Sequence, residues 1–352
     1  MKYVLVTGAA GFIGSHLTTR LIERGYRVIA LDNLSSGNLT NLKHIENHFE
    51  FVLGDVNNSE LLDRILPGVE LVFHQAAIAS VPRSITFPLE SHQACATATV
   101  TLLDACQKAK VKRVVYAGSS SAYGNNESSA ISETDLPAVF SPYAAAKLSG
   151  ELYCQAFANC YDLEVVRLRY FNIFGPRQDP NSPYAAVIPI FVSKLLSGEQ
   201  PTIYGDGTQT RDFTFVENVV QANLLAATTP GISGRVFNVG TGNAMSVLSM
   251  LQKICAFLGV PCDPHFATPR LGDVLHSGAD ISAIKRDLGF TEKITFEAGL
   301  CETVEYYAQE FINRSRLKPQ QEEERGRHSS NELLAKSLSI LGLADQLADQ
   351  DE

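Results

Sequence analysis

The chain has 352 residues, 45% of them apolar and 19% charged, so it can bury a large core, and wholesale disorder is excluded. The formal net charge of −9 argues against a surface that binds nucleic acid or an anionic membrane. No apolar run approaches the length of a membrane span, about 18 residues, and the first strand-like run is too short for a signal peptide. Seven dispersed cysteines without a CxxC pair predict a cytoplasmic protein with reduced thiols.

In the first half of the chain, β-branched runs alternate with helical patterns. The predicted strands are Tyr3–Thr7, Arg27–Leu31, Phe51–Leu53, Glu70–His74, Arg113–Ala117 and Glu164–Arg169. The predicted helices are Phe12–Arg24, Ser59–Leu66, Ser91–Lys108 and Pro142–Cys160. Near-continuous apolar strands alternating with helices predict a parallel sheet covered on both faces. The fold class is therefore α/β, with a doubly wound parallel (Rossmann) sheet.

The strand–helix alternation becomes irregular after about residue 172, which predicts a second domain. We expect the sheet domain, which would bind a dinucleotide, to comprise residues 1–172 plus 210–240. A smaller, discontinuous α/β domain for the substrate is expected from residues 173–209 plus 241–313. Residues 314–352 are predicted to form a polar, acidic tail, and leucines at helical spacing in it leave a short helix as the alternative.

A glycine-rich turn follows the first predicted strand. Gly8 permits the tight turn, Gly11 lets backbone N–H groups approach a pyrophosphate, and Gly14 lets the helix pack on the sheet. Asp32, 18 residues after Gly14, can accept both ribose hydroxyls, and it repels a 2′-phosphate. NAD is therefore predicted rather than NADP. The candidates for this site are Gly8, Gly11, Phe12, Ile13, Gly14, Asp32, Asn33, Asp55 and Val56, with a turn or capping role as the alternative for Asp55.

A tyrosine and a lysine four residues apart begin the fourth predicted helix. Tyr143 and Lys147 share one helix face, and a positive charge near a phenol favours the phenolate, a competent base. We expect Lys147 and the positive nicotinamide ring together to bring the phenol's pKa from about 10 toward 7. The serine run Ser119–Ser121 follows the fifth strand, at the sheet edge where such folds bind ligands, so Ser119 can bind a substrate hydroxyl.

Together these motifs resemble the extended short-chain dehydrogenases, and within them the NAD-dependent epimerase/dehydratase family. The resemblance extends to about residue 312. In detail, the chain is similar to the UDP-N-acetylglucosamine 4-epimerase branch of the family. The motifs that carry it, besides the glycine turn and the Tyr143/Lys147 pair, are His74-Gln75-Ala76-Ala77, Val81-Pro82-Arg83-Ser84, Arg169-Tyr170-Phe171-Asn172, Phe174-Gly175-Pro176-Arg177-Gln178-Asp179-Pro180 and Tyr184-Ala185-Ala186-Val187-Ile188-Pro189.

The resemblance implies roles for further residues. Tyr143, Lys147 and Ser119 would be catalytic. The contacts to NAD would include Gln75, Ala76, Ala77, Tyr143, Lys147 and Tyr170. The contacts to a UDP-sugar would include Ala79, Ser80, Arg83, Ser119, Ser120, Ser121, Tyr143, Asn172, Ala186, Val187, Tyr204, Arg211, Arg270, Asp273 and Ser277. For Arg211 and Arg270, an ordinary surface ion pair is the alternative. A homodimer through the helices Ser91–Lys108 and Tyr143–Cys160 is also implied.

Three serines distinguish the reactions and substrates of the family. Ser120 and Ser121 stand where dehydratases of the family carry an Asp-Glu pair, so oxidation and return at C4, a reversible 4-epimerisation, is favoured. Ser277 stands where hexose-only relatives carry tyrosine, which leaves room for an acetamido group and favours UDP-GlcNAc/UDP-GalNAc. UDP-glucose 4-epimerase and UDP-N-acetylhexosaminuronate 4-epimerase remain alternatives, followed by UDP-glucuronate decarboxylase and a non-enzymatic NAD-binding sensor.

The sequence departs from the family pattern at Cys95. Cys95 stands where relatives carry the asparagine of an Asn-x-x-Gly segment, which changes the local hydrogen-bond network but leaves the Tyr143/Lys147 pair intact.

A metal site is the alternative chemistry that the histidines could suggest. His44 and His48 are four residues apart, but no third ligand lies nearby, so a solvated helix face is predicted and no metal is expected.

Overall fold

The computed structural model describes residues 2–125, 130–180, 185–269 and 274–316, with the backbone alone for 315 and 316. Its strands are β1 (Tyr3–Thr7), β2 (Arg27–Asp32), β3 (Phe49–Leu53), β4 (Val69–His74), β5 (Arg113–Ser119), β6 (Glu164–Tyr170), β7 (Ile173–Phe174), β8 (Thr202–Tyr204), β9 (Thr210–Arg211), β10 (Thr214–Phe215), β11 (Val236–Val239), β12 (Met245–Ser246), β13 (His265–Ala267) and β14 (His276–Ser277). Its α-helices are α1 (Phe12–Glu23), α2 (Ser59–Ile65), α3 (Val81–Thr86), α4 (Pro88–His92), α5 (Ala98–Lys108), α6 (Pro142–Cys160), α7 (Val187–Leu196), α8 (Val216–Thr228), α9 (Val247–Leu258), α10 (Ser282–Leu288) and α11 (Phe296–Arg316).

The chain divides by its contacts into two compact units. Unit 1 comprises the described residues of 1–173, 212–244 and 274–293, and unit 2 comprises those of 174–211, 245–273 and from 294 onward. This division differs from the predicted domains at 274–293, which the sequence analysis places in the second domain. The reason is apolar burial, because Ile281, Ile284, Leu288 and Phe290 complete the core of unit 1.

The predicted tail is only partly described. Residues 314–316 are the last residues of α11, so the helix passes the predicted boundary after residue 313. Residues 317–352, with the leucine pattern of the predicted short helix, lie outside the described residues.

Unit 1 is built on a seven-stranded sheet in the order β11-β6-β5-β4-β1-β2-β3. Each neighbouring pair in it is parallel. The predicted fold class, a doubly wound parallel sheet, is confirmed. The strand order reverses between β1 and β4, and in such sheets ligands bind beyond the carboxyl ends of the strands at this reversal.

The sheet buries both of its faces. In β1, Val4 and Val6 belong to one apolar cluster with α1 and α8, while Leu5 belongs to another cluster with α2 and α5. Successive side chains of a strand point to opposite faces, so a sheet packed by helices on both sides needs apolar residues throughout. This is why the strands read as unbroken apolar runs.

The helical segment before β5 is not one regular helix as predicted for Ser91–Lys108. It consists of α4, a π-helical turn over Gln93–Thr97, and α5. In this turn, hereafter the π-turn, the Ala98 N–H donates to the Gln93 carbonyl five residues back. One residue is therefore inserted into the helical register, an arrangement that is frequent at functional sites.

Unit 2 contains three helices that pack on one another, α7, α9 and α11. The apolar residues of α9 recur at helical spacing, and Val247, Met250, Leu251, Ile254 and Leu258 are buried. Gly259, with left-handed backbone, ends α9. Two short strand pairs complete the unit, β8 with β13 and β9 with β12. Among the described residues, no helix is long and apolar enough to cross a membrane.

Candidate active site

The turn between β1 and α1 can form only with its glycines. Gly8 has a φ of +66°, and a Cβ on it would lie 2.8 Å from the backbone N and Cα of Ala76. A Cβ on Gly14 would lie 2.0 Å from the carbonyl oxygen of Gly8, so α1 packs directly on the turn. Gly11 is the N-cap of α1. In the structure as described, no side chain caps this end of the helix, and its first turn carries no acidic residue. Uncapped N–H groups at the positive end of α1 fit a pyrophosphate, as NAD requires.

Asp32 lies at the end of β2, beside this turn. Its carboxylate is buried and accepts the Ala10 N–H at 2.9 Å and the Leu34 N–H at 2.8 Å. A Cβ on Gly37 would lie 2.8 Å from the carboxylate oxygens, so the following loop passes close to them. The two backbone bonds hold the carboxylate in place, and each oxygen retains a lone pair that can accept a ribose hydroxyl.

The next three cofactor candidates have structural contacts of their own. Asn33 donates from its amide to Asp55 at 2.7 Å, and Asp55 also accepts the backbone N–H of Asn57 at 2.8 Å. Burial raises the pKa of Asp55, but the hydrogen bonds from Asn57 and Asn33 outweigh this effect and lower it. Asp55 therefore stabilises the turn at Asn57, and its contact with NAD stays a prediction. Val56 is buried in the core beneath α2 and α5.

A hydrogen-bonded cluster joins the carboxyl ends of β4 and β6. The Tyr170 hydroxyl and the Gln75 amide both contact Asn223 of α8, at 2.8–3.1 Å. Gln75 also donates to the Tyr170 hydroxyl at 3.2 Å. Ala76 lies against Gly8, and Ala77 packs against the buried cluster of Cys95, Ala96 and Ala146, as Tyr143 does. The sequence analysis missed Asn223, which lies 53 residues from Tyr170 along the chain and inside a helix with no motif to mark it.

The predicted catalytic residues are brought together at the end of β5 and the start of α6. Ser141 caps α6 and Pro142 follows it, so Tyr143 lies in the first turn of the helix. The Tyr143 phenol interacts with the Ser119 side chain, which favours the phenolate. The Ser119 hydroxyl also lies 2.8 Å from that of Ser121 and accepts the Ser121 N–H. Ser120, the first residue of the turn Ser120–Tyr123, is half-buried.

Lys147 is buried one helical turn from Tyr143. Its ammonium nitrogen lies 4.5 Å from the centroid of the Tyr116 ring, a cation–π contact. The Tyr116 hydroxyl donates to the Lys147 carbonyl at 2.9 Å and thereby ties α6 to β5. Burial lowers the pKa of Lys147, and the acidic groups of Cys95, Cys154 and Glu151 partly offset this effect.

Burial dominates the electrostatics of Tyr143. It raises the pKa of the phenol, the Cys95 thiol raises it further, and the interaction with Ser119 lowers it. The net shift from the protein's own groups is upward, and the lowering toward 7 expected with the nicotinamide ring beside the phenol stays a prediction. The Lys147 ammonium faces the Tyr116 ring, so desolvation determines the pKa of Tyr143 in the protein itself.

Three of the substrate candidates lie before and within α3. Ala79 is exposed, whereas Ser80 is buried and caps α3 by accepting the Arg83 N–H at 3.1 Å. The Arg83 guanidinium forms an ion pair with Glu90 at 2.9 Å. Ser80 therefore stabilises the start of α3, and Arg83 links α3 to Glu90 of α4.

Asn172 and Ser277 also belong to unit 1. Asn172 has a φ of +34°, a strained value of the kind that clusters at functional sites. Ser277 is buried, and its carbonyl accepts the Asp212 N–H at 2.8 Å. The Asp212 carboxylate is fully buried and accepts the N–H groups of Thr241, Gly242 and Ala279. The sequence analysis missed Asp212, which fixes the backbone around Ser277.

The remaining substrate candidates that are described lie in unit 2. Ala186 is the N-cap of α7, and Val187 is its first residue. Tyr204 ends β8 and is about one-third exposed. Arg211 is buried in β9, and its guanidinium donates to the Thr210 carbonyl at 2.8 Å. Arg270 and Asp273 lie outside the described residues.

Metal-binding geometry is absent from the described part of the chain. There, no group of three or more histidine, cysteine or acidic side chains is arranged to hold a metal ion. His44 instead shares a hydrogen bond of 2.9 Å with the Thr19 hydroxyl.

The glycine turn, the aspartate after β2 and the serine–tyrosine–lysine group can be compared with known proteins. The profile of the NAD dependent epimerase/dehydratase family matches residues 4–240. The chain belongs to this family. The predicted family resemblance is therefore confirmed, and so are the predictions that the chain is an enzyme and that its cofactor is NAD.

Relatives align over nearly the whole of their own length. A UDP-glucose 4-epimerase from Mycolicibacterium smegmatis is 41% identical over 310 residues, which cover 86% of this chain and 97% of the relative. The structure of a UDP-glucose 4-epimerase from Thermotoga maritima with UDP-glucose is 39% identical, with a TM-score of 0.84 and coverage of 88% and 99%. That of a UDP-N-acetylglucosamine 4-epimerase from Methanobrevibacter ruminantium with UDP-N-acetylmuramic acid is 41% identical, with the same TM-score and coverage.

Proposed function

We propose that this enzyme, an NAD-dependent UDP-sugar 4-epimerase, interconverts UDP-N-acetylglucosamine and UDP-N-acetylgalactosamine. The observation that carries the reaction class is the group of Ser119, Tyr143 and Lys147 at the sheet edge that also carries the glycine turn. A dehydratase would need carboxyl groups directly after Ser119, and Ser120 and Ser121 supply only hydroxyls. The similar relatives with UDP-sugar 4-epimerase names support the same class.

The protein's own groups would divide the proton chemistry among them. Tyr143, as phenolate, would accept the proton of the sugar's 4-hydroxyl, and the Ser119 hydroxyl, which interacts with the phenol, would hydrogen-bond the same sugar hydroxyl. Lys147 would stabilise the negative charge from the same face of α6. When bound, NAD supplies reversible acceptance of the C4 hydrogen as hydride. Tyr143 would then return its proton once the 4-keto sugar presents its other face.

The choice of the N-acetylated sugars rests on pocket size at Ser277. A serine side chain there is small and buried, and the backbone around it is fixed by Asp212. The candidate contacts Ala79, Ser80 and Ser121 of the same unit are small as well. UDP-glucose is the second candidate substrate, because the names of the relatives from M. smegmatis and T. maritima favour it.

Product identification tests this function directly. Purified enzyme incubated with UDP-N-acetylglucosamine should yield the 4-epimer, resolved by chromatography. A 4-keto-6-deoxy sugar or released CO2 would instead indicate a dehydratase or a decarboxylase. An unchanged substrate, with UDP-glucose also unchanged, would support a sensor that binds NAD without turnover.

Ser277→Tyr tests the substrate choice. The larger side chain should lower kcat/KM for UDP-N-acetylglucosamine by about 10- to 100-fold more than for UDP-glucose, because the acetamido group and the phenol would compete for one space. Ser277→Ala serves as the control and should preserve the ratio of the two kcat/KM values. Equal losses on both substrates in Ser277→Tyr would refute the pocket argument.

We also propose a homodimer that uses α4 and α6. Leu89 of α4 and Leu152 of α6 are 76% and 56% exposed, and Ala145 of α6 is exposed as well. Three alanines within the two helices predicted to form this interface, Ala98, Ala105 and Ala144, are buried inside the unit. Sedimentation of the purified enzyme tests the dimer, and a monomer at micromolar concentration would exclude it.

A further inference from the structure

His74, the last residue of β4, has no place in the proposed proton chemistry, yet both of its ring nitrogens are engaged. Nδ1 lies 2.8 Å from the Thr7 hydroxyl, and Nε2 lies 3.1 Å from the Thr99 hydroxyl. His74 and Thr99 are each 1% exposed, and Thr7 is completely buried. An imidazole in this position cannot exchange partners with water, so its hydrogen bonds have one fixed pattern.

The neighbouring bonds determine which nitrogen carries the proton. The Thr99 hydroxyl donates its only hydrogen to the Cys95 carbonyl, so toward His74 it can only accept. His74 must therefore carry its proton on Nε2. Nδ1 is then an acceptor, to which the Thr7 hydroxyl donates, while the Thr7 oxygen accepts the Ala76 N–H at 3.2 Å. Each polar group in this series of hydrogen bonds, from the Ala76 N–H through Thr7, His74 and Thr99 to the Cys95 carbonyl, therefore has a partner.

The two ends of this hydrogen-bond chain reach the two halves of the candidate active site. At one end, Thr7 directly precedes Gly8, and the backbone of Ala76 lies against Gly8 so closely that a Cβ would not fit. At the other end, Cys95 lies in the π-turn and packs with Ala146 and Tyr143 of α6.

The catalytic helix approaches the π-turn at Gly150. A Cβ there would lie 3.1 Å from the Thr99 hydroxyl and 3.2 Å from the Cys95 carbonyl oxygen. The hydroxyl that bonds to His74 therefore also lies directly against α6, the helix that carries Tyr143.

We propose that His74 is a positioning residue: as a neutral imidazole protonated on Nε2, it holds the glycine turn and the π-turn at a fixed separation, and thereby sets the place of Tyr143 relative to the coenzyme. Its catalytic consequence rests on the proposed function. Burial, assisted by the charge of Lys147, lowers the pKa of His74 to about 3, so the ring stays neutral at every working pH.

The tautomer can be measured without any substrate. In NAD-loaded enzyme labelled with 15N-histidine, NMR should show one ring with a protonated Nε2 and an unprotonated Nδ1 at pH 7, unchanged on acidification to pH 5. The resonance is assigned to His74 because it alone should shift in Thr99→Val. Protonation on Nδ1, or an imidazolium at pH 5, would overturn the proposal.

The positioning role is tested by Thr99→Val, which removes the hydroxyl at nearly constant volume. We expect less NAD retained through purification and a kcat about 10- to 100-fold lower, with the KM for the UDP-sugar within about twofold. Thr99→Ser, which keeps the hydroxyl, should restore both quantities. Thr101→Val is the matched control, since Thr101 makes the same bond to the carbonyl four residues back but on the solvent side of α5, and it should behave as wild type.

The outcomes separate the two proposals. A folded Thr99→Val enzyme with unchanged kcat and unchanged NAD retention would overturn the role of His74. A wild-type enzyme without 4-epimerase activity on any UDP-sugar would overturn the proposed function instead, and the tautomer and the NAD retention would still decide the role of His74.

Discussion

Tyr143→Phe is expected to lower kcat by about 100- to 10,000-fold, the range typical of losing a positioned general base. The phenyl ring keeps the packing against Ala96 and Ala146, so the fold and the binding of UDP should be preserved. The measurement is kcat with UDP-N-acetylglucosamine, together with calorimetric titration of UDP. Tyr153→Phe, on the same helix but with an exposed side chain, is the matched control and should retain full activity. A Tyr143→Phe enzyme with more than a tenth of wild-type kcat would show that another group takes the proton.

The pH dependence of the wild type follows from the same residue. Burial raises the pKa of Tyr143, and the base is the deprotonated phenolate, so the active fraction grows as pH increases. In the range below the phenol's pKa, kcat/KM should therefore rise with pH. In Tyr143→Phe this rise should disappear from the residual rate.

Gly8→Ala is expected to lower both the retention of NAD and the stability of the fold. An alanine at the φ of Gly8 costs about 1–2 kcal/mol of backbone strain. Its Cβ would also meet the Ala76 backbone at 2.8 Å, an overpacking of about 1–3 kcal/mol. The free energy of unfolding should thus fall by about 2–5 kcal/mol, and NAD should be lost because the turn must open.

Gly25→Ala is the matched control for this substitution. Gly25 also has a positive φ, +80°, but a Cβ on it would meet nothing within 4 Å. It should therefore cost only the strain of about 1–2 kcal/mol, with NAD fully retained. Urea unfolding and the absorbance of released nucleotide measure both quantities. Equal losses in the two variants would mean that the contact with Ala76 is unimportant.

The sequence predicts this fold well where local patterns determine structure. The bounds of β1 and α6 agree with the structure to the residue, because an apolar run ends at a glycine turn in one case and Ser141-Pro142 starts a helix in the other. The π-turn was not predicted; it lies where the Cys95 carbonyl and the Thr99 hydroxyl come against Gly150 of α6. A helical pattern in sequence contains no signal for such an insertion.

The candidate site was predictable as motifs but not as a network. Ser119, Tyr143 and Lys147 follow from their positions after a strand and at a helix start. The contacts of Tyr170 with Asn223, and of Ser277 with Asp212, join residues far apart in the chain. The side chain of Lys147 took a place beside Tyr116 that spacing alone did not predict. These contacts depend on how strands and helices pack against one another. A single sequence shows no local pattern from which such packing can be predicted.

The path of the hydrogen on C4 shows whether a resident coenzyme takes it up and returns it. UDP-N-acetylglucosamine, or UDP-glucose if that is the substrate, is prepared with deuterium on C4 and incubated with the enzyme in ordinary water. If the hydrogen leaves C4 and returns within the closed site, the 4-epimer will carry the full deuterium content on C4, as read by mass spectrometry and NMR. Exchange of that deuterium for solvent hydrogen during epimerisation would contradict the account.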